Sequence, residues 1–240
     1  MNIWAIADLH LSFAQPKPMS IFGAHWQDHY RRIAQHWWLK VHPQDVVLIA
    51  GDISWAMKPV EAEPDLNWIG NLPGRKIMIK GNHDFWWGSA RKVRQQLPAD
   101  MFILDGEAME IENTIVCGTR GWLAPNDPTF DPEIDQKPFE RQLRRLERAL
   151  DQAQVLQTQN QPIYVMLHYP PLTTHGEHTP FLELILSTPV HTVLYGHLHD
   201  TESQQQARKG WVGGVRYQLI AADYLQFDPQ LLSPSGEMHL

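Results

Sequence analysis

Residues 75–88 read RKIMIKGNHDFWWG. The first half is an apolar run of strand length, and no helix cap separates it from the polar residues after it. A turn accounts for Gly81 and Asn82. It does not account for His83 and Asp84, nor for Trp86 and Trp87 directly behind them. The stretch therefore reads as a buried strand over Lys76–Lys80 whose carboxyl end delivers polar, metal-competent side chains.

The same event recurs along the chain. IWAIADLH ends in Asp8 and His10, VVLIAGD in Asp52, IYVMLHYPP in His168, and TVLYGHLH in His197 and His199. Sites in α/β sheets form at the carboxyl ends of strands, so five strands aim N and O donors at one rim. Singly, each has a plainer reading: an Asp after a strand is a turn or a helix N-cap, and a His there is a hydrogen-bonded structural group. But Asp8/His10 and His197/His199 are spaced two apart, so in extended chain both members of a pair face one side. Five such strand ends together point to a metal site.

Asp8, His10, Asp52, Asn82, His168, His197 and His199 make seven donors. One ion of four to six coordination cannot use them all; two ions about 3.5–4 Å apart can, if they share a carboxylate. The donors are nitrogen and oxygen with no thiolate. Two divalent or trivalent ions are expected, manganese first, with iron or zinc as alternatives, and the histidines argue against magnesium alone.

The rest of the chain fits an enzyme-sized globular unit. It has 240 residues, 43% hydrophobic and 20% charged, enough to bury a large core in one domain over 1–240. Cys117, alone in the apolar TIVCG, excludes an internal disulfide and fits a reducing compartment. MNIWAIADLH has neither the basic start nor the long apolar run of a leader, and no run reaches membrane-span length, so a cytoplasmic protein is expected. A net charge of −7 with no long single-sign block argues against a dedicated nucleic-acid binder. The one basic cluster, Arg141, Arg144, Arg145 and Arg148, alternates with Glu140 and Glu147 and reads as a solvated helix face.

Further strands are read at Asn2–Ala7, Asp45–Ala50, Met101–Leu104, Thr114–Gly118, Ile163–Leu167 and Thr192–Tyr195, with Val215–Ala221 and Asp223–Phe227 as a late antiparallel pair. Helical spacing marks His29–Trp38, residues 135–157 with Pro138 in the first turn, and a shorter helix opening at Pro180. Residues 11–26 and 121–138 remain as long loops of the kind that shape sites. The pattern predicts an α/β fold, a mixed sheet or two stacked sheets covered by helices.

The order DLH (8–10), GD (51–52), GNHD (81–84), H (168) and GHLH (196–199) resembles the calcineurin-like metallophosphoesterase superfamily, and its small stand-alone prokaryotic phosphohydrolases in particular. The resemblance implies a four-layer sandwich of two mixed β-sheets flanked by helices. It implies one ion on Asp8, His10, Asp52 and His199 and another on Asp52, Asn82, His168 and His197, with Asp52 as the bridge. His83 would face the substrate, with Asp84 orienting its ring. The reaction implied is hydrolysis of phosphomonoesters or small phosphodiesters by in-line attack of a metal-bridging hydroxide, with His83 protonating the leaving oxygen. GDISWAM and GNHDF lack the Arg and Glu of the superfamily's phosphoprotein phosphatases, and HYP stands where the lipid A UDP-sugar pyrophosphatases carry H-G-D. A nucleotide pyrophosphatase or nuclease would need a basic track or a capping domain, neither of which stands out. A non-catalytic scaffold would have lost site residues that are all present.

Three aromatic residues and one arginine bear on the substrate. Trp55, Trp86 and Trp87 either pack the core beneath the rim or form an aromatic wall for a base or aryl group. Arg120, at the end of another strand, either clamps a phosphate oxygen or makes a surface salt bridge. His175 and His178, in HYPPLTTHGEH, are expected to be exposed and are not counted as ligands.

Overall fold

The apolar runs that end in donor residues are strands buried on both faces, and they are divided between two sheets. The computed structural model describes residues 1–173 and 177–232. One sheet holds β1 (Ile3–Ile6), β2 (Val46–Ala50), β3 (Arg75–Ile79) and β4 (Met101–Ile103), all parallel, with β11 (Gln230–Leu232) antiparallel to β1 at one edge. The other runs β5-β6-β7-β8-β10-β9, from β5 (Glu107–Ile111), β6 (Thr114–Thr119), β7 (Ile163–Leu167), β8 (Val190–Tyr195), β9 (Gly210–Val212) and β10 (Val215–Leu219).

The period-two geometry of the strands sorts their side chains into three cores. Ala5, Leu48 and Ile77 meet Val116, Met166 and Leu194 between the sheets. Their neighbours Ile6, Val47 and Ile49 turn outward onto Ile33 and Trp37 of α1 (His29–Lys40) and onto Leu66 and Ile69 of α2 (Pro59–Gly70). On the far side Cys117, Val165 and Val193 pack against Leu146 and Leu150 of α4 (Pro132–Leu156) and Phe181 of α5 (Pro180–Leu186). The result is the α/β/β/α sandwich. Cys117 belongs to a core, where burial pushes its thiol up to about 12. No helix among the described residues is long and apolar enough to cross a membrane.

The structure corrects several element readings. Asp223–Phe227 is not a strand. Residues 222–227 form a turn, closed by Phe227 N–H donating to Ala222 O at 2.6 Å, and Phe227 is buried edge-on against Trp26. The antiparallel partner of β10 is instead β9. Helix α4 starts at Pro132, because Asp131 caps it by accepting from Glu133 N–H at 2.9 Å, so Pro138 lies inside the helix and the preceding loop is shorter than expected. Short helices also occur at α3 (Ala90–Arg94) and α6 (Thr201–Gln206). His178 is exposed, and His175 lies outside the described residues.

Candidate metal centre

Beyond the last residue of each strand the backbone ladder continues into the rim. Asp8 N–H donates to Gly51 O (2.9 Å), His10 N–H to Asp52 O (2.9 Å), His168 N–H to Arg120 O (2.9 Å) and Gly196 N–H to His168 O (3.2 Å). Ala7 exchanges two further bonds with the end of β10, donating to Ile220 O at 2.7 Å and accepting from Ala222 N–H at 3.0 Å. Ends of strands from both sheets are thereby drawn to one spot. The turns that achieve this are strained. Asp8, His10, Asp52 and His197 have φ of 60°, 45°, 49° and 73°, the left-handed region that L-residues avoid. Each such residue costs about 1–3 kcal/mol, a strain that concentrates at functional sites. The glycines of the motifs permit close approach: a Cβ on Gly81 would collide with the Asp52 carboxylate, and one on Gly196 with that of Asp8.

All seven predicted donors converge, in two overlapping groups. In the first, His10 Nε2 lies 3.4 Å from His199 Nε2 and 3.7 Å from Asp52 Oδ2, and Asp8 Oδ1 lies 3.7 Å from His199 Nε2. In the second, His168 Nε2 lies 2.6 Å from Asn82 Oδ1, 3.3 Å from His197 Nδ1 and 3.5 Å from Asp52 Oδ2, with Asn82 Oδ1 3.0 Å from His197 Nδ1. Donors that share one ion at bond lengths of about 2.0–2.2 Å sit about 3–3.6 Å apart, the spacing seen here.

The chemistry of these atoms fits cations. His168 uses Nδ1–H to donate to Ala50 O at 3.0 Å, which leaves Nε2 bare and facing the Asn82 carbonyl oxygen. His199 likewise donates Nδ1–H to Asp223 Oδ1 at 3.1 Å and turns Nε2 inward. Two acceptor atoms aimed at each other need positive charge between them. Asp8 Oδ1 is buried with no hydrogen-bond partner among the described residues. Burial, reinforced by Asp52, drives the Asp8 carboxyl far above the carboxylate range, and burial also raises Asp52. It pushes His10 and His197 well down and His168 to about 3, which keeps their imidazoles neutral and able to ligate.

The sequence as a whole carries the same signature. Residues 1–201 match the family model described as calcineurin-like phosphoesterase. The chain belongs to that family. Over 83 residues the chain is 37% identical to the Gene 66 protein of Mycobacterium phage D29 and 34% identical to that of phage L5. Each match covers 35% of this chain and only 40% of the phage protein. In fold it is similar to the phosphopantetheinyl hydrolase PptH of Mycobacterium tuberculosis, with a TM-score of 0.57 at 15% identity over 100% of this chain and 98% of that one. It is also similar to AQ665, a protein of unknown function from Aquifex aeolicus, with a TM-score of 0.50 at 14% identity over 96% and 95% of the two chains.

Around the donors the other predicted residues take distinct places. His83 is half-buried at the mouth. Its backbone N–H donates to Asp52 Oδ1 at 2.8 Å, and its ring lies 4.3 Å from that of Trp55. Trp55 in turn stacks on His10, with 4.9 Å between centroids and 23° between planes. Asp84 does not reach the His83 ring, which corrects the expectation of an orienting contact. Its carboxylate is wholly buried and accepts from Ile53 N–H (2.9 Å), Ser54 N–H (3.0 Å), Trp86 Nε1–H (3.0 Å) and Gly81 N–H (2.8 Å). It ties the Asp52 loop to the Asn82 loop. Trp86 and Trp87 are buried in the core, so of the three tryptophans only Trp55 faces the centre. Arg120 makes no salt bridge among the described residues; its guanidinium lies 4.3 Å over Trp122.

Three contacts went unread in the sequence. Asp223 holds His199, and Gln204 Nε2–H donates to its second oxygen at 3.1 Å. Lys17, from the first long loop, places its ammonium 3.3 Å over the Trp55 ring.

Proposed function

We propose that this phosphoesterase is a binuclear metal-dependent hydrolase of phosphomonoesters or small phosphodiesters. The observation that carries the reading is the position of Asp52 Oδ2, 3.7 Å from His10 Nε2 and 3.5 Å from His168 Nε2. One carboxylate oxygen thus faces a neutral imidazole nitrogen from each group, as a bridge between two ions requires. Asp8, His10, Asp52 and His199 would hold one ion; Asp52, Asn82, His168 and His197 the other. The nitrogen and oxygen donors favour manganese, with iron or zinc as alternatives. When bound, the two cations neutralise phosphate charge and bring the pKa of a coordinated water toward neutrality.

The residues of the chain supply the rest. His83 stands at the mouth beside Asp52 and donates a proton to the leaving oxygen. Burial lowers its pKa, while Asp52 raises it, and a phosphate dianion or monoanion beside the ring works in the same sense as Asp52. Trp55, packed against both His10 and His83, fixes the ring that donates. Asp84 is a positioning residue: by holding four N–H groups of two loops it sets the distance from Asp52 to Asn82.

Metal analysis and hydrolysis of bis(p-nitrophenyl) phosphate with Mn²⁺ test this together. Wild type is expected to hold two ions per chain, and Asp52→Asn to lose at least one of them along with most of the turnover. His83→Asn is expected to keep both ions and lose turnover. Two ions retained in Asp52→Asn would overturn the bridge.

A further inference from the structure

Beside the metal centre the fold assembles a group of cations that the sequence disperses. Lys80 stands one residue past β3, directly before the Gly81–Asn82 turn, and Arg120 one residue past β6. The Arg120 carbonyl accepts from His168 N–H (2.9 Å) and Tyr169 N–H (3.0 Å), so its backbone is part of the rim that carries a ligand. A buried bond from Thr119 Oγ1–H to Gln142 Oε1 at 2.6 Å pins α4 to the end of β6, joining the residues next to Arg120 and Arg141. One helical turn on, Arg145 pairs with Asp105 at 2.8 Å. The ladder brings these elements together: Leu104 N–H donates to Met78 O and Gly106 N–H to Gly118 O, both at 2.9 Å, so Asp105 and the Arg145 paired with it lie beside the strand ends that carry Lys80 and Arg120.

The cluster is short of counter-charge. Among the described residues only Asp105 forms an ion pair with any of the four. Lys80 Nζ donates to the Trp87 carbonyl at 2.7 Å, and Arg120 Nε is buried with no hydrogen-bond partner among the described residues. Stacked over Trp122, the Arg120 guanidinium is held as a rigid fork of the kind that takes phosphate oxygens in pairs. The chain's net charge is −7, so this concentration of positive charge is local. Like charges crowded without partners repel, and an anion placed among them relieves that repulsion.

We propose that Lys80, Arg120, Arg141 and Arg145 form an anion subsite that takes a second phosphate group of the substrate, next to the one bound at the metals. The proposal rests on the phosphoesterase reading of the centre. It narrows the substrate class to phosphoesters that carry a further phosphate, whether a small bisphosphate or a 5′-phosphorylated nucleotide chain.

The test is calorimetric binding to the Mn²⁺-loaded full chain, comparing adenosine 5′-monophosphate with adenosine 3′,5′-bisphosphate, and the dinucleotide TpT with pTpT. Phosphoester turnover is scored separately. The ligand with the additional phosphate is expected to bind at least about tenfold tighter in one pair or both, with an advantage that shrinks as salt is raised. Arg120→Gln and the double variant Arg141→Gln/Arg145→Gln should each abolish that advantage, while Arg31→Gln on α1 should preserve it. An advantage in the adenosine pair alone assigns a small bisphosphate; one in the dinucleotide pair alone assigns a nucleotide chain. Equal binding within both pairs, or an advantage that survives both variants, overturns the subsite. A protein that shows the advantage but turns over no phosphoester keeps the subsite and loses the hydrolase reading. One that hydrolyses single-phosphate esters without any advantage loses the subsite alone.

Discussion

Metal uptake by this centre should expel protons, and His199, beside the raised Asp8 carboxyl, holds one of them. Burial alone would lower its pKa, but Asp8 and Asp223 outweigh burial and hold it up to about 9. Below that pH a metal-free centre keeps His199 protonated, and an ion at Nε2 requires the proton gone. The His199 proton alone makes apparent affinity climb about tenfold per pH unit up to about 9. At pH 7, two units below, that proton costs about 100-fold in affinity, or about 2.7 kcal/mol. Calorimetric titration of metal-free protein with Mn²⁺, in buffers of differing ionisation enthalpy, reads both the affinity and the proton count between pH 6.5 and 8.5. Asp223→Asn removes one of the carboxylates that hold the proton, so the break moves to lower pH. It also exchanges the charged partner of Nδ1–H for a neutral amide, which weakens the affinity reached at high pH by about 10–100-fold. The same shift bears on stability. His199 is raised above its ordinary 6.5, so its contribution to the metal-free fold is complete below that pH and is lost as pH rises through about 9. Affinity that stays flat from pH 6.5 to 8.5, with no proton released, would refute this reasoning.

The packing of the rim sets three further outcomes. Asp84→Ala strands four buried N–H donors and should destabilise the protein by at least about 3 kcal/mol in urea unfolding; a loss under about 1 kcal/mol would mean the loops are held by other contacts. Trp86→Ala and Trp55→Ala should separate cleanly. The first empties a core position and costs about 3–5 kcal/mol of stability, whereas the second touches His10 and His83 and should lower kcat/KM by about tenfold or more at a smaller cost in melting temperature. Gly81→Ala drives a methyl into the Asp52 carboxylate, so purified protein should carry less than its full metal complement even where it melts like wild type.

How legible a residue is in the sequence depends on how the fold uses it. The donor-bearing strands are buried on both faces, so they read as unbroken apolar runs, and a charged or imidazole side chain at the end of such a run has no packing role to hide behind. The two i,i+2 pairs suggest convergence for a partly mistaken reason. Extended chain would put both members on one side, yet Asp8, His10 and His197 sit in left-handed turns. It is strain, not strand geometry, that aims them. Edge elements are harder to read. β5 is half-exposed and carries two glutamates, so it has neither an apolar run nor clean alternation. DYLQF alternates like a strand but folds as a turn, because Phe227 is buried against Trp26; the strand-like pattern also conceals Asp223. The role of Asp84 is invisible for a different reason. A buried carboxylate that serves backbone amides leaves the same one-letter trace as one that serves a catalytic ring. Charge shows the limit most plainly. Read along the chain, Arg141 and Arg145 are a solvated helix face balanced by glutamates. Only the docking of α4 on β6 brings their helix beside the strand ends that carry Arg120 and Lys80.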